Sequence, residues 1–363
     1  MLHWLIIKRK SNLLLLIFVV FLVSCTNSDR YAFSTDINDQ EQETNNTEIN
    51  NRLNLIKKRG KLICGVNDQL PGFSYKEKDG NYSGISVDLC RAIAVAIFND
   101  KTKVEFRHLE SEKRFAAVES GQVDILSRNT TWNLSRDTSG GLDFPPTNFY
   151  DGQGLLVGVN SGIDKLEDLN GKSICVSANT TTEDNLAIQM RKRNIAYNPM
   201  KFEDKKAMYG AYESNSCSAA TADRSELVAR RSSLANPVAH KVLAEVISKA
   251  PLGPVIANGE PEWFDVVEWV SNAMVKAEEL GINSQNVDRF AGTKNPAIKR
   301  FLGMEGDLGK NIGLSNDFAY KIVKNVGNYG EVYDRNIGKP FNLERGANNL
   351  AQSGGLIHSP PFR

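Results

Sequence analysis

The segment Leu62-Ile63-Cys64-Gly65-Val66 is an apolar run of strand length, and its surroundings set the fold class. Before it, Asn51 is positioned to cap a short helix carrying Leu53 and Ile56, and Gly60 to end that helix, so helix then strand is expected. After a turn at Asp79-Gly80, Leu89, Ile93, Ala96 and Ile97 recur on one face of a helix over residues 87–98. A strand at Val104-Glu105-Phe106, a helix with Phe115 and Val118 stopped by Gly121, and a strand over 123–127 continue the series. Strands alternating with helices predict an α/β layer with a mainly parallel sheet, because a parallel pair needs a crossover long enough to hold a helix.

A second series begins after Tyr150. It reads as a strand over 154–159, a short helix near Leu166 to Leu169, a strand over 173–177, a helix after the threonine cluster, a strand over 219–222, a helix over 225–231 and an extended segment over 242–247. Pro251-Leu252-Gly253-Pro254 then breaks the chain. The longest amphipathic helix follows over 262–280, with Val266, Val270, Ala273, Ala277 and Leu280 at helical spacing between Pro261 and Gly281. Two α/β units can be arranged in sequence or with one interrupting the other, and the pattern leaves both open.

The ends bear on compartment. Lys8, Arg9 and Lys10 precede an apolar run over 13–23 that is short for a membrane span and ends in Leu22-Val23-Ser24-Cys25. Residues 1–24 therefore read as a signal peptide closing on a lipobox, with Cys25 acylated and first in the mature chain. Residues 25–51 are rich in Asn, Thr, Asp, Glu and Gln and almost empty of apolar side chains, the composition of a flexible tether. Roughly 310 residues remain, a length suited to two domains. Lys and Arg number 44 against 43 Asp and Glu, for a net charge of +1, which argues against a nucleic-acid partner. No later apolar run approaches membrane-spanning length, so a channel would have to lie in another polypeptide. Four cysteines besides Cys25, namely Cys64, Cys90, Cys175 and Cys217, suggest disulfides in an exported protein, and three connectivities are open.

Three segments concentrate polar residues at the ends of expected strands, where open α/β sheets bind ligands. The first, residues 127–137, holds Arg128, Asn129, Thr130, Thr131 and Arg136; a guanidinium is a planar fork of donors matched to a carboxylate. In the second, Thr180 and Glu183 have capping-box spacing, so the free N–H groups of that helix start would face an anion. The third contains Asp223, which follows a strand and is placed to meet an ammonium. Each has a blander explanation: an ion-paired surface arginine, a helix cap, and an N-cap aspartate. Together they supply a cation, an anion and a helix N-terminus from two α/β units, a set suited to a zwitterion.

Competing motifs fail. Gly171-Lys172-Ser173 resembles a P-loop tail, but Leu166 occupies the required upstream glycine position. His3, His108, His240 and His358 do not pair with cysteines at metal spacing, and no nucleophile elbow is present. No cofactor or metal is expected.

Leu126-Ser127-Arg128-Asn129-Thr130-Thr131-Trp132 with Ser135-Arg136-Asp137-Thr138, then Tyr150-Asp151-Gly152-Gln153-Gly154, Thr180-Thr181-Thr182-Glu183, Pro251-Leu252-Gly253-Pro254 and Val326-Gly327-Asn328-Tyr329-Gly330-Glu331 resemble the general L-amino-acid-binding proteins of polar amino-acid ABC importers. The likeness runs from about Leu53 to Arg363. Two departures are Gly84-Ile85-Ser86-Val87-Asp88, where the family commonly has Gly-Phe-Asp-Val-Asp, and Asn179, where a glycine usually precedes the threonines.

The resemblance implies a periplasmic binding protein-like fold of two lobes, residues 52–153 with 254–363 and an inserted lobe over 154–253, joined by a two-strand hinge. It implies that Arg136 and Thr131 grip a ligand α-carboxylate, that Thr180 and Thr181 donate to the same group, and that Asp223 takes the α-ammonium with help from Asn129. Phe73 and Tyr75 are expected in the pocket wall. Within two lobes, the implied disulfides are Cys64 with Cys90 and Cys175 with Cys217. The implied protein is a monomeric, lipid-anchored envelope component that delivers L-amino acids to a membrane permease. The rival is an enzyme, since a periplasmic cyclohexadienyl dehydratase uses the same fold. It would need a positioned carboxylic acid, for which Glu183 is the nearest candidate.

Overall fold

Asn51 caps the first helix, α1 (Arg52–Arg59), by accepting the Asn54 N–H through its side chain, and Gly60 ends it in the left-handed conformation. The computed structural model describes residues 51–363; the expected signal peptide, Cys25 and all but the last residue of the tether lie outside the described residues. Three strands, β1 (Leu62–Val66), β2 (Val104–His108) and β3 (Ile125–Leu126), form a parallel sheet in the order β2-β1-β3. Helix α2 (Ile85–Phe98) crosses over between β1 and β2, and α3 (Arg114–Glu119) between β2 and β3.

The continuous apolar spelling of β1 follows from burial on both faces. Leu62, Cys64 and Val66 enter a large core with α2, whereas Ile63 enters a smaller one with Ala117, Val118 and Val255. Helix α8 (Pro261–Glu279) lays Trp263, Val266, Val270 and Ala273 into the large core. Full burial of such side chains stabilises by roughly 1.5–3 kcal/mol each. The Trp263 indole N–H also donates to the Asp124 carbonyl at 2.8 Å, pinning this late helix beside the first sheet.

The chain leaves the first lobe through β4 (Phe149–Asp151) and enters a second sheet made of β5 (Gln153–Gly158), β6 (Ser173–Ser177), β7 (Asn198–Phe202), β8 (Ala219–Asp223) and β9 (His240–Val242), in the order β7-β6-β8-β5-β9. Pairings of β6 with β7 and β8 are parallel, but β5 runs antiparallel to both β8 and β9, so this sheet is mixed. Its strands alternate between two cores: Leu155, Val157, Ile174 and Val176 face one, and Leu156, Cys175, Ala220 and Ala222 the other. The extended segment expected over 242–247 is a strand only at His240–Val242.

Strand β10 (Ala250–Leu252) returns antiparallel to β4, and this pair forms the hinge. Residues 126–132 lie along the returning chain through bridges Leu126 to Val255 and Thr131 to Leu252. The loop that carries the first polar segment is thus fixed to a hinge strand. The outer edge of β4 is held by Asn348, whose side chain accepts the Tyr150 N–H at 2.6 Å and donates to the Tyr150 carbonyl at 2.9 Å. Gly152 joins hinge to lobe where a Cβ would stand 2.3 Å from Val246 Cγ1 and 2.7 Å from the Ser248 carbonyl oxygen, leaving no room for a side chain.

Cys64 on β1 is bonded to Cys90 on α2, and Cys175 on β6 to Cys217 just before β8, with Cα separations of 6.4 and 5.6 Å. Each bond joins elements around one sheet.

Candidate functional site

The three polar segments converge on one narrow cavity between the lobes. From the first lobe come Asn129, Thr131 and Arg136, the last on α4 (Leu134–Ser139), which Asn133 caps by accepting the Arg136 N–H. The Arg136 Nη1 donates to the Thr131 carbonyl at 2.8 Å, and its guanidinium lies 5.2 Å from the Phe115 ring centroid. From the second lobe come Thr180, Thr181 and Asp223. Direct contacts bridge the two sides: Asn129 Nδ2 donates to Asp223 Oδ2 at 2.9 Å and to Glu226 Oε2 at 3.1 Å, and the Thr131 and Thr181 hydroxyls lie 3.3 Å apart. Arg230 reaches across to the Gln69 carbonyl.

The helix that begins at the threonines, α5 (Thr181–Lys192), follows Asn179 in the left-handed conformation at φ 57°. Asparagine is among the non-glycine residues that accept this region most readily, so the glycine-to-asparagine departure keeps the turn. The Thr180 hydroxyl caps the helix by accepting the Glu183 N–H at 3.3 Å and gives its own proton to the Ser177 carbonyl at 2.7 Å. Glu183 reaches one residue farther back than a capping box requires, accepting the Asn179 N–H at 2.9 Å. It also pairs with Lys201 at 2.5 Å, and that ammonium holds its carboxyl below the usual range. A carboxyl held ionised in this way is a poor proton donor, so Glu183 does not supply the general acid that the dehydratase reading asks of it.

Asp223 ends β8 and precedes α7 (Arg224–Ser233), yet its side chain makes no cap bond. The cap comes from the hinge: Asp151 accepts the Ser225 N–H at 3.3 Å and the Ser225 hydroxyl. Asp223 is therefore buried with Asn129 as its hydrogen-bond donor and one face toward the cavity. Burial raises its pKa, and the Asp151 and Glu226 charges raise it further. Burial likewise raises Asp151. Glu226 goes the other way: burial opposes its charge, but the Lys205 ammonium wins and holds it below the usual range.

Phe73 and Tyr75 do not line this cavity. Phe73 is a core residue, its ring 5.0 Å from that of Phe149 in an edge contact, and Tyr75 sits in a three-stranded meander, paired with Gln69 and Ser83. Aromatic spelling after a strand does not separate pocket wall from core, and here the hinge strand needed a partner. Conversely, Arg114, Arg128, Lys205 and Glu226 line the cavity without having been assigned roles. Arg128 stands inside the first polar segment. Lys205 and Glu226 lie at helix starts, where charged residues are commonplace, and nothing in their spacing marks them.

The sequence profile of bacterial extracellular solute-binding proteins, family 3, matches residues 62–286. The chain is 44% identical to the general L-amino acid-binding periplasmic protein AapJ of Rhizobium johnstonii over 86% of its length and 92% of that protein's. It is 46% identical, over the same shares, to the putative amino-acid ABC transporter-binding protein YhdW of Escherichia coli strain K12. Among solved structures, an ABC transporter periplasmic binding protein from Brucella ovis with glutathione bound superposes with a TM-score of 0.85 at 47% identity, covering 86% of this chain and 99% of that one. The fold is that of periplasmic binding proteins and the activity is solute binding, not catalysis. With a profile match over most of the chain and relatives aligned along nearly their whole length, the chain belongs to the bacterial extracellular solute-binding proteins, family 3.

Proposed function

We propose that this protein captures L-amino acids of varied side chain and delivers them to the membrane permease of an ABC importer, working as a monomer. The observation that carries this reading is the split of charge across the cleft: Arg136 with Thr131 on one lobe and buried Asp223 on the other, bridged by Asn129 and the threonine hydroxyls. A zwitterion satisfies both sides at once. Arg136 and the Thr131 and Thr181 hydroxyls take the α-carboxylate, while Asp223 and the unpartnered, buried Asn129 Oδ1 take the α-ammonium. Thr180 shapes the helix start, its proton being already committed to Ser177. Relatives named for amino-acid transport support the same assignment. Calorimetry of the purified protein against the common amino acids should show one-site binding of several L-amino acids with unlike side chains. No binding, or binding of a single amino acid, would defeat it.

Proton release should accompany capture. With its pKa raised, Asp223 is partly protonated in the ligand-free protein at neutral pH, whereas an ammonium ligand requires the carboxylate. Binding then lowers that pKa and expels a proton, so affinity should increase with pH across the raised range. It should fall toward about tenfold per unit as pH drops below that range. Binding enthalpies that do not change between buffers of different ionisation heat would refute this.

Membrane anchoring through Cys25 belongs to the same proposal, motivated by the charged segment, the short apolar run and Leu22-Val23-Ser24-Cys25. Among the described residues no helix is long and apolar enough to cross a membrane. Cys25→Ala should move the protein out of the membrane fraction or stall its maturation; unchanged, detergent-dependent membrane association would count against the lipid.

A further inference from the structure

We propose that Arg114 and Arg128 form a second anion subsite in the cleft, which takes a second carboxylate of the ligand and makes acidic amino acids preferred over their amides. The inference rests on the reading of the cleft as an amino-acid site and names which amino acids it favours.

Both arginines are buried, at 4% and 6% exposure, and both line the cavity. They converge on Ser111: Arg114 Nη1 donates to its carbonyl at 2.7 Å, and Arg128 Nη2 to its hydroxyl at 3.3 Å, while Arg128 Nη1 donates to the Leu109 carbonyl at 2.5 Å. Among the described residues no carboxylate lies within ion-pair distance of either. The Nε atoms of both are buried without a hydrogen-bond partner. Tethering a loop carbonyl needs a donor but not a charge, so loop anchoring alone does not explain two buried guanidiniums. Glu226 and Glu110 attract Arg128, and Asp223 attracts Arg114, only from beyond ion-pair contact; a buried charge with no counter-ion in contact is costly, and a like charge beside it raises the cost.

The charges lining the cavity do not balance. Arg114, Arg128, Arg136 and Lys205 are four cations; Asp223 and Glu226 are two carboxylates, an excess of two positive charges. Lys205 and Glu226 pair with each other. Arg136 and Asp223 answer the two charges of an amino-acid backbone. What remains is the pair Arg114 and Arg128, with donors free on planar forks suited to a carboxylate. The Arg114 guanidinium lies 4.5 Å from the Phe115 ring centroid and the Arg136 guanidinium 5.2 Å, so one ring supports both the backbone subsite and the second one. A neutral side chain leaves the excess unanswered. A glutamate or aspartate side chain reduces it and occupies the open donors, whereas the amide isosteres bring no charge.

The test is the ratio of dissociation constants for glutamine and glutamate, measured by calorimetry on the same preparation, for the unaltered protein and for Arg114→Met, Arg128→Met and Arg128→Lys. The unaltered protein should prefer glutamate at least tenfold; each methionine variant should lose at least tenfold of that preference, and Arg128→Lys should retain more of it than Arg128→Met. A ratio within threefold of unity in the unaltered protein overturns the proposal, as does equal weakening of both ligands in both methionine variants. Because the ratio comes from one preparation, partial misfolding lowers the number of sites without moving it. If the unaltered protein binds no amino acid at all, it is the underlying reading that fails.

Discussion

Alanine at Arg136 or at Asp223 should weaken every amino-acid ligand by a similar and large factor, about 2 to 5 kcal/mol, or roughly thirtyfold to several thousandfold. Each substitution removes one partner of a charge pair that closure would bury, and the abandoned ligand charge bears the desolvation cost. The two variants should behave alike because they act on the parts all amino acids share. They differ in what they leave behind. Without Asp223, Asn129 still donates to Glu226, so the lobe contact is loosened and not lost. Without Arg136, the Thr131 carbonyl loses its donor.

An N-cap role for Asp223 makes a different prediction: lost melting temperature with affinity retained. The absence of a cap bond from Asp223, and the bonds from Asp151 to Ser225, set the two apart. Asp151→Ala should therefore carry the cap cost, about 0.5–2 kcal/mol of stability. Comparing thermal unfolding with ligand titration for the Asp151 and Asp223 variants separates the roles. Retained binding of several amino acids by Asp223→Ala, or loss of only one, would overturn the backbone clamp.

The elements that position the cleft were legible where local physics and burial agree. The buried strands at 62–66 and 173–177 are spelled as apolar runs because both faces are covered, and Pro261 and Gly281 bracket α8 by their fixed and permissive φ. Strand β7 is only weakly marked: Asn198-Pro199-Met200-Lys201-Phe202 sits at the sheet edge, where proline and polar residues are tolerated, so its spelling does not fix its bounds. Asp223 was ambiguous because cap and ligand aspartates are spelled alike. The residue that supplies the cap, Asp151, lies in the hinge strand, far away in the chain. Phe73 misled for a related reason, since only the tertiary contact with Phe149 distinguishes a core aromatic from a pocket wall. Arg114 has no mark in the sequence, because its burial beside the cavity is a property of three dimensions.

Removing the disulfides should have the second large effect, on stability and not on recognition. In the chain-entropy model, closing loops with separations of 26 and 42 residues stabilises by about 3.5 kcal/mol for Cys64–Cys90 and about 4 kcal/mol for Cys175–Cys217. Replacing both cysteines of a pair with serine avoids a stray thiol, though a hydroxyl at these buried positions adds a desolvation cost, so the measured loss should be no smaller than the entropy figure. The longer loop should lose more. Each bond lies around one sheet and neither spans β4 and β10, so neither restrains the hinge ladder on which closure turns. A disulfide-free variant should then unfold at a lower denaturant midpoint while its amino-acid affinity, measured well below its melting temperature, stays within about threefold of the unaltered protein, a difference below 1 kcal/mol. Peptide mapping without reduction checks the pairing directly. Free thiols at these four positions, a bond between the lobes, or a loss of affinity as large as that of Arg136→Ala would show that the bonds do more, or less, than hold each lobe together.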